Sequence, residues 1–407
     1  MSMKDKLHTG ELYLPDDGEE GMNFTALDRY LDSFYREKNI PGLGCAVTVG
    51  GKIVHVHCAG FADYERGTPF GPDTLVNLYS ATKISTAAAA VRLIEKGTLT
   101  LDDPAAEWLP ELDRATVRGE DGKAHPVRTP ITVRHLLSMS AGLTYDGTTA
   151  AVKDLLRETN GCPTTRQVAA ALIAEPLAFE PGTHFRYSFC HDVLAAVMEA
   201  AAGIPYPDVL RRELFESLGM TDTAFVLTEE QRARMAPEIH GFDGSAGTAR
   251  AVIRKEGMDM GMGPAYRSGG GGLISSLRDY TKLAAMLSNR GVTADGVRVL
   301  FPESVDAMRE NQLTPDAMRD FEAMGGWSKA GYGYGLGVRT LLCRERNNSL
   351  SANGEFGWDG ALGCYLLADP ENGVGIFYAQ QEAGSKWYEW HGMIRNTAYA
   401  AILGAEA

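Results

Sequence analysis

Tyr79-Ser80-Ala81-Thr82-Lys83 opens a run, Ser80 to Lys96, with strong helix-forming character. Ala87 to Ala90 supply helix propensity without bulk, and Gly97 stands where a C-terminal cap belongs. Residues three apart share a helix face, so Lys83 lies one turn along from Ser80. A serine hydroxyl is a poor nucleophile at neutral pH and needs a base within hydrogen-bond reach. A lysine amine is that base when burial and nearby positive charge lower its pKa. The helix N-terminus adds partial positive charge and N–H groups able to stabilise a developing oxyanion. Ser80 is the only serine with lysine three residues later. An ordinary helix start with a solvated lysine would look the same over these few residues. The apolar, Ala-rich continuation instead describes a buried helix.

Working outward, 407 residues are enough for a large core, in two domains or in one with a big insertion. Hydrophobic residues make up 44% and charged residues 23%, as in a globular protein. A net charge of −14 disfavours nucleic acid and anionic membranes as partners. No stretch approaches the ~20 apolar residues that span a bilayer. Residues 1–21 are polar and acidic without a signal-peptide core, so an extended leader and a cytoplasmic location are expected. The six cysteines contain no CxxC pair and read as buried, reduced thiols. His55 and His57 would share one face of a strand. No third ligand accompanies them, so no metal is expected.

Upstream of Ser80, Leu27, Tyr30, Leu31 and Phe34 recur at helical spacing within Thr25–Lys38, with Thr25 and Asp28 placed as a capping box. Leu43–Val49 and Lys52–Ala59 flank Gly50-Gly51, a hairpin signal. Downstream, Thr132 is a candidate helix cap, and helical patterns recur at Thr165–Ala174, His191–Ala202 and Tyr206–Leu218. Ser268 to Gly272, a serine and four glycines, precedes a helix over Leu277–Asn289. It is either a flexible turn or a place where backbone passes close to a site. The tail reads as strands over Tyr332–Arg339, Gly360–Ala368 and Gly373–Gln380, then a helix near Trp390–Leu403. Strands at both ends with helices between predict one sheet built from the two termini. The expected division is 22–79 with 266–407 as a sheet domain and 80–265 as a mostly helical one, the active site lying between them.

Two further constellations stand out. Glu180 to Ser188 places Tyr187 after a Pro-Gly turn. A tyrosine beside a lysine can be held as phenolate or pass a proton to a leaving group, although a packed aromatic would read alike. Phe356 to Gly363 brings glycines to a strand entry, where a ligand or another backbone can approach closely. The Ala361 N–H there could be a second oxyanion donor beside that of Ser80.

Together these segments resemble the serine β-lactamase and penicillin-binding-protein superfamily, in its class C-like branch and most of all its family VIII carboxylesterases. Gly97–Pro104, Ile131–Leu137, Leu214–Met220 and Ser268–Leu273 look like further family segments, and the likeness runs from about Leu27 to Gln380. It implies an α/β (α+β) fold, with a central antiparallel sheet flanked by helices and an inserted all-helical domain. It also implies Ser80 as acylated nucleophile, Lys83 as its general-base partner, Tyr187 as proton carrier, and the Ser80 and Ala361 N–H groups as oxyanion hole. No cofactor is implied.

Two positions depart from the family's β-lactamases. Phe189 stands where an asparagine usually binds the substrate amide, and Trp358, followed by Asp359 and Gly360, replaces a lysine that attracts a carboxylate. An apolar ring and an acid are poor hosts for an anion. Trp327, Trp358, Trp387 and Trp390 fall in the last 81 residues and could line an apolar pocket, or Trp387 and Trp390 could cement the terminal helix. The expectation is a serine esterase acting on small, uncharged or apolar esters. The alternatives are a β-lactamase or D-amino-acid amidase or peptidase, with Asp359 holding a substrate amine, and a non-catalytic binding or assembly member. No serine has GxSxG flanks. Oligomeric state has no signature in the sequence.

Overall fold

A computed structural model of the protein describes residues 21–244, 247–324 and 330–404. The expected leader, apart from Gly21, and Trp327 lie outside the described residues.

The main sheet has eight antiparallel strands, three from the N-terminal region and five from the tail. They are β1 (Gly42–Val49), β2 (Lys52–Asp63), β3 (Thr68–Pro69), β4 (Tyr332–Tyr334), β5 (Arg339–Leu341), β6 (Phe356–Asp359), β7 (Tyr365–Asp369) and β8 (Val374–Gln380), in the spatial order β4-β5-β6-β7-β8-β1-β2-β3. The sheet expected from the two termini is therefore present, closed by β1 lying against β8 with Leu43 opposite Gln380.

Side-chain alternation on β1 explains its two-sided burial. Leu43, Cys45, Val47 and Val49 pack with Leu27, Leu31, Phe34, Ile394 and Tyr399 from the terminal helices. Gly44 and Ala46 face the helix Leu277–Ser288, where small residues let the helix approach: a Cβ on Gly44 would stand 2.9 Å from Leu277. A fully buried leucine contributes ~1.5–3 kcal/mol, so a one-residue slip that exchanged the two faces would be strongly disfavoured.

Several local readings are met: the Gly50-Gly51 hairpin, the Thr132 cap with His135 closing a capping box, and helices over Thr165–Ile173, Cys190–Ala202 and Leu277–Ser288. Others are corrected. The Thr25–Asp28 capping box does not form. Asn23 Oδ1 accepts the Thr25 N–H, which puts Thr25 inside the helix, and Asp28 turns to His55 at 2.7 Å. His57 meets Asp32 at 2.8 Å. The strand expected over Tyr332–Arg339 is a hairpin, turning where Gly335 N–H reaches the Val338 carbonyl. That expected over Gly360–Ala368 is split by a turn at Gly360–Gly363. The segment 80–265 also carries strands Glu238–Asp243 and Thr248–Ile253, which join Glu382–Ala383 in a three-stranded sheet. All six cysteines are free. Cys45, Cys190 and Cys364 are buried, but Cys162 is exposed and Cys58 and Cys343 are half-buried. Among the described residues no single helix is long and apolar enough to cross a membrane.

Candidate active site

Ser80 sits in a 3-10 turn, Tyr79–Ala81, that runs into helix α1 (Thr82–Glu95). The residue before it, Tyr79, has φ +47°, a left-handed conformation that costs a non-glycine residue ~1–2 kcal/mol. Hydrogen bonds offset that strain. Tyr79 Oη donates to Glu238 Oε1 at 2.7 Å, and Asn77 Nδ2 donates to the same oxygen at 3.0 Å. Asn77 N–H donates to Gln381 Oε1 at 3.0 Å. The three-stranded sheet thus holds the segment that presents Ser80, and Ser80 itself is half-buried.

Lys83 is fully buried, as the Ala-rich helix implied. Its Nζ donates to Ser80 Oγ at 3.3 Å and to the Gly270 carbonyl at 2.6 Å. Gly270 explains the glycine run: a Cβ there would stand 2.6 Å from Asp192 Oδ2 and 3.2 Å from Lys83 Nζ. Backbone therefore passes close to the site, as the second reading of Ser268–Gly272 held. Asp192, in the first turn of α2 (Cys190–Ala202), is buried and accepts from Tyr266 Oη, from Ser268 Oγ at 2.6 Å and from Gly270 N–H at 3.4 Å. Its Oδ2 has no hydrogen-bond partner among the described residues.

The charge setting of Lys83 differs from the one expected. Burial alone would lower the Lys83 pKa, but Tyr145, Tyr187 and Asp192 outweigh it and leave the amine above its ordinary value. Its neighbours are the Asp192 carboxylate and the Tyr145 and Tyr187 phenols, a setting that favours the charged amine. His191, buried beside it, is pushed down to about 3 by burial and by the Lys83 charge.

Tyr187 lies over that cation, with Nζ 4.6 Å from the ring centroid. Its segment is tied down where Gly182 and Arg186 donate to the Ser140 and Met139 carbonyls at 2.8 and 2.9 Å. Trp358 on β6 stacks on Tyr187 at 5.5 Å, and its Nε1–H donates to Tyr187 Oη at 3.1 Å. On the other side Tyr145 stacks on Tyr187 at 5.7 Å, and Phe189 on Tyr145 at 4.6 Å. The sequence reading missed Tyr145 and Asp192. The available signal for Tyr145 was its place just past Ser140–Leu143; nothing local marks Asp192.

The remaining candidates divide. Phe189 is 1% exposed, so it supports Tyr145 from beneath and does not face the cleft. Trp358 is buried at 6% and directs its polar edge to Tyr187. Asp359 does not present a carboxylate for a substrate amine, because it pairs with buried Arg339 at 2.9 Å and with His391 at 3.4 Å. Gly360 is where backbones meet: a Cβ would stand 2.2 Å from the Leu78 carbonyl oxygen, two residues before Ser80. Ala361, exposed on the following turn, is thereby brought to the same rim as Ser80. Its carbonyl accepts from Trp387 Nε1–H at 3.2 Å, and the Gly363 carbonyl is met by His391 Nε2 at 3.1 Å. Trp390 packs edge-on to Phe34 and does cement the terminal helix, α3 (His391–Ile402). Among the described residues no group of three His, Cys, Asp or Glu side chains is placed to hold a metal ion.

The described chain is similar throughout its length to known proteins. Protein Rv1367c of Mycobacterium tuberculosis is 32% identical over 81% of this chain and 83% of its own. Esterase EstB of Burkholderia gladioli is 28% identical over 93% and 91%. The structure of EstCE1, described as a hydrolase with promiscuous acyltransferase activity, superposes with a TM-score of 0.74 at 26% identity, covering 99% of this chain and all of that one. The family model for Beta-lactamase matches residues 27–389, nearly the whole described chain, and the chain belongs to the Beta-lactamase family.

Proposed function

We propose that this serine hydrolase of the Beta-lactamase family is an esterase that acylates Ser80, with small uncharged or apolar esters as substrates. The observation that carries the reading is the contact set of Lys83: Nζ donating to Ser80 Oγ and to the Gly270 carbonyl, with the Tyr187 ring above it. In this reading Lys83 is the cation and does not take the serine proton. It can balance negative charge on the Tyr187 oxygen, which also receives the Trp358 N–H. Tyr187 is then the base. Ser80 Oγ attacks the ester carbonyl and its proton passes to Tyr187. The oxyanion is held by the N–H groups of Ser80 and Ala361. On collapse the alcohol oxygen takes the proton from Tyr187, and water, activated the same way, releases the acid and restores Ser80.

Ester rather than β-lactam chemistry is supported by what lines the cleft. Tyr145, Tyr187 and Trp358 offer rings, while Arg339 and Lys255 are paired with Asp359 and Glu238. A substrate carboxylate would meet no uncommitted cation there among the described residues. The test is intact-mass spectrometry after brief exposure to an activated short-chain ester and, separately, to a penicillin, with the adduct mapped by peptide. Acyl mass on Ser80 from the ester alone is expected. A long-lived penicillin adduct would overturn the substrate assignment, and no adduct from either would overturn the nucleophile.

A further inference from the structure

Residues 257–263 read Gly-Met-Asp-Met-Gly-Met-Gly, between the strand Thr248–Ile253 and the Ser268–Gly272 run. The loop is tied to the segment that delivers Ser80. Gly257 N–H donates to Asn77 Oδ1 at 2.7 Å, and Asn77 Nδ2 donates to the Lys255 carbonyl at 3.3 Å. Its backbone is left-handed at Gly257, Met260, Gly261 and Gly263, and Asp259 accepts the Gly261 and Met262 N–H groups at 2.9 and 2.8 Å. The main chain is thus pinned and the thioethers are aimed. Met258, half-buried, fills the space a side chain on Gly271 would take: a Cβ there would lie 2.0 Å from Met258 Cε and 3.7 Å from the Tyr79 carbonyl carbon. It therefore packs beside both backbones that flank the Ser80–Lys83 pair. Met262 is fully buried and lies under the aromatic stack. A Cβ on Gly147 would stand 2.8 Å from its Cε and 3.5 Å from the Phe189 ring. Met260 is half-buried against the same core.

The two sides of an ester can be told apart here. The leaving oxygen must come within reach of Tyr187, which places the alcohol on the side of Tyr187 and Trp358. The acyl group stays on Ser80 and has to leave by another side of the carbonyl, and Met258 is the side chain placed beside the Tyr79 and Gly271 backbones that flank Ser80 and Lys83. Methionine is unbranched, polarizable and turns about three bonds, so Met258 reshapes around apolar groups that a leucine there would reject. We infer that Met258, held by loop 257–263, lines the acyl side of the site and determines specificity there, and that the acyl groups it takes are apolar, bulky and varied in shape. This rests on Ser80 as nucleophile.

The test compares wild type, Met258→Leu and Met258→Ala on p-nitrophenyl acetate, octanoate, cyclohexanecarboxylate and benzoate, and on acetyl esters of alcohols of increasing size. In Met258→Ala the ratio of kcat/KM for the bulky acyl groups to that for acetyl falls by about tenfold or more, the range set by one or two methylenes in an apolar pocket. Met258→Leu, which conserves volume, lowers the ratio for some acyl shapes and not others. Dependence on alcohol size is the same in all three proteins. Acyl-to-acetyl ratios within twofold of wild type in both variants, or an effect that follows alcohol size, would overturn the assignment. Wild type that forms no acyl-Ser80 with any ester would instead refute the nucleophile, so the two failures are distinguishable. Melting temperatures of the variants confirm that folded proteins are compared.

Discussion

Replacing Trp358 by phenylalanine isolates one hydrogen bond at the centre of the site. The indole N–H lies 3.1 Å from Tyr187 Oη, and the ring also stacks on Tyr187 and receives the edge of Tyr334 at 5.2 Å. Phenylalanine keeps an aromatic face in both contacts and deletes the donor. Between neutral groups such a bond is worth ~0.5–1.5 kcal/mol, and to a charged oxygen ~1.5–3 kcal/mol. Tyr187 has to be a phenolate to take the Ser80 proton, so losing the donor disfavours that form and lowers the fraction of enzyme that holds a competent base. The loss then falls on kcat, at ~1.36 kcal/mol per tenfold, giving a decrease of roughly 10- to 100-fold with KM changed by less than about threefold. The smaller ring also leaves a void that costs on the order of 1–2 kcal/mol of stability, so rates are compared well below the melting temperature. The assay is steady-state hydrolysis of a p-nitrophenyl ester at saturating and limiting concentrations. A kcat within threefold of wild type would refute the reasoning, because Tyr187 would then work without its indole partner.

Three further outcomes are expected. Asp359→Ala leaves the buried Arg339 without its 2.9 Å partner and destabilises the fold by about 3 kcal/mol in urea titration; unchanged stability with turnover lost only on amine-bearing esters would return Asp359 to the substrate. His191, held near 3 in the folded state against 6.5 unfolded, takes up its proton on unfolding, so its contribution is complete above about 6.5 and is lost as pH falls toward 3. His191→Gln therefore reduces the stability lost between pH 7 and pH 4 by about 3 kcal/mol, and an unaltered pH slope would contradict the buried neutral imidazole. Gly270→Ala would set a methyl 2.6 Å from Asp192 Oδ2 and move the carbonyl that holds Lys83; ester turnover falls by roughly 100-fold, and wild-type kcat in this variant would show that Lys83 needs no such tether.

Much of what the chain declares locally is met in the structure, the Thr25–Asp28 capping box excepted. Ser80 and Lys83 are one helical turn apart whatever surrounds them, the Gly50-Gly51 turn returns β2 along β1, and Thr132 caps its helix three residues ahead of His135. Such features depend on a helical or pleated repeat and on bonds across three or four residues, which a short window contains. Readings failed where a short strand or a polar partner lies far along the chain. Tyr332–Tyr334 and Arg339–Leu341 are three residues each, too short for alternation to separate them. Asp359 looked like an open carboxylate because nothing near it in the chain announces Arg339, twenty residues earlier on the adjacent strand β5. Lys83 looked like a neutral base because its acids arrive from elsewhere: Tyr145 and Tyr187 from separate loops and Asp192 from α2. Spacing along one helix sets which two groups meet. The charge each carries is set by every group that packing brings within a few ångströms, and only the tertiary structure decides that.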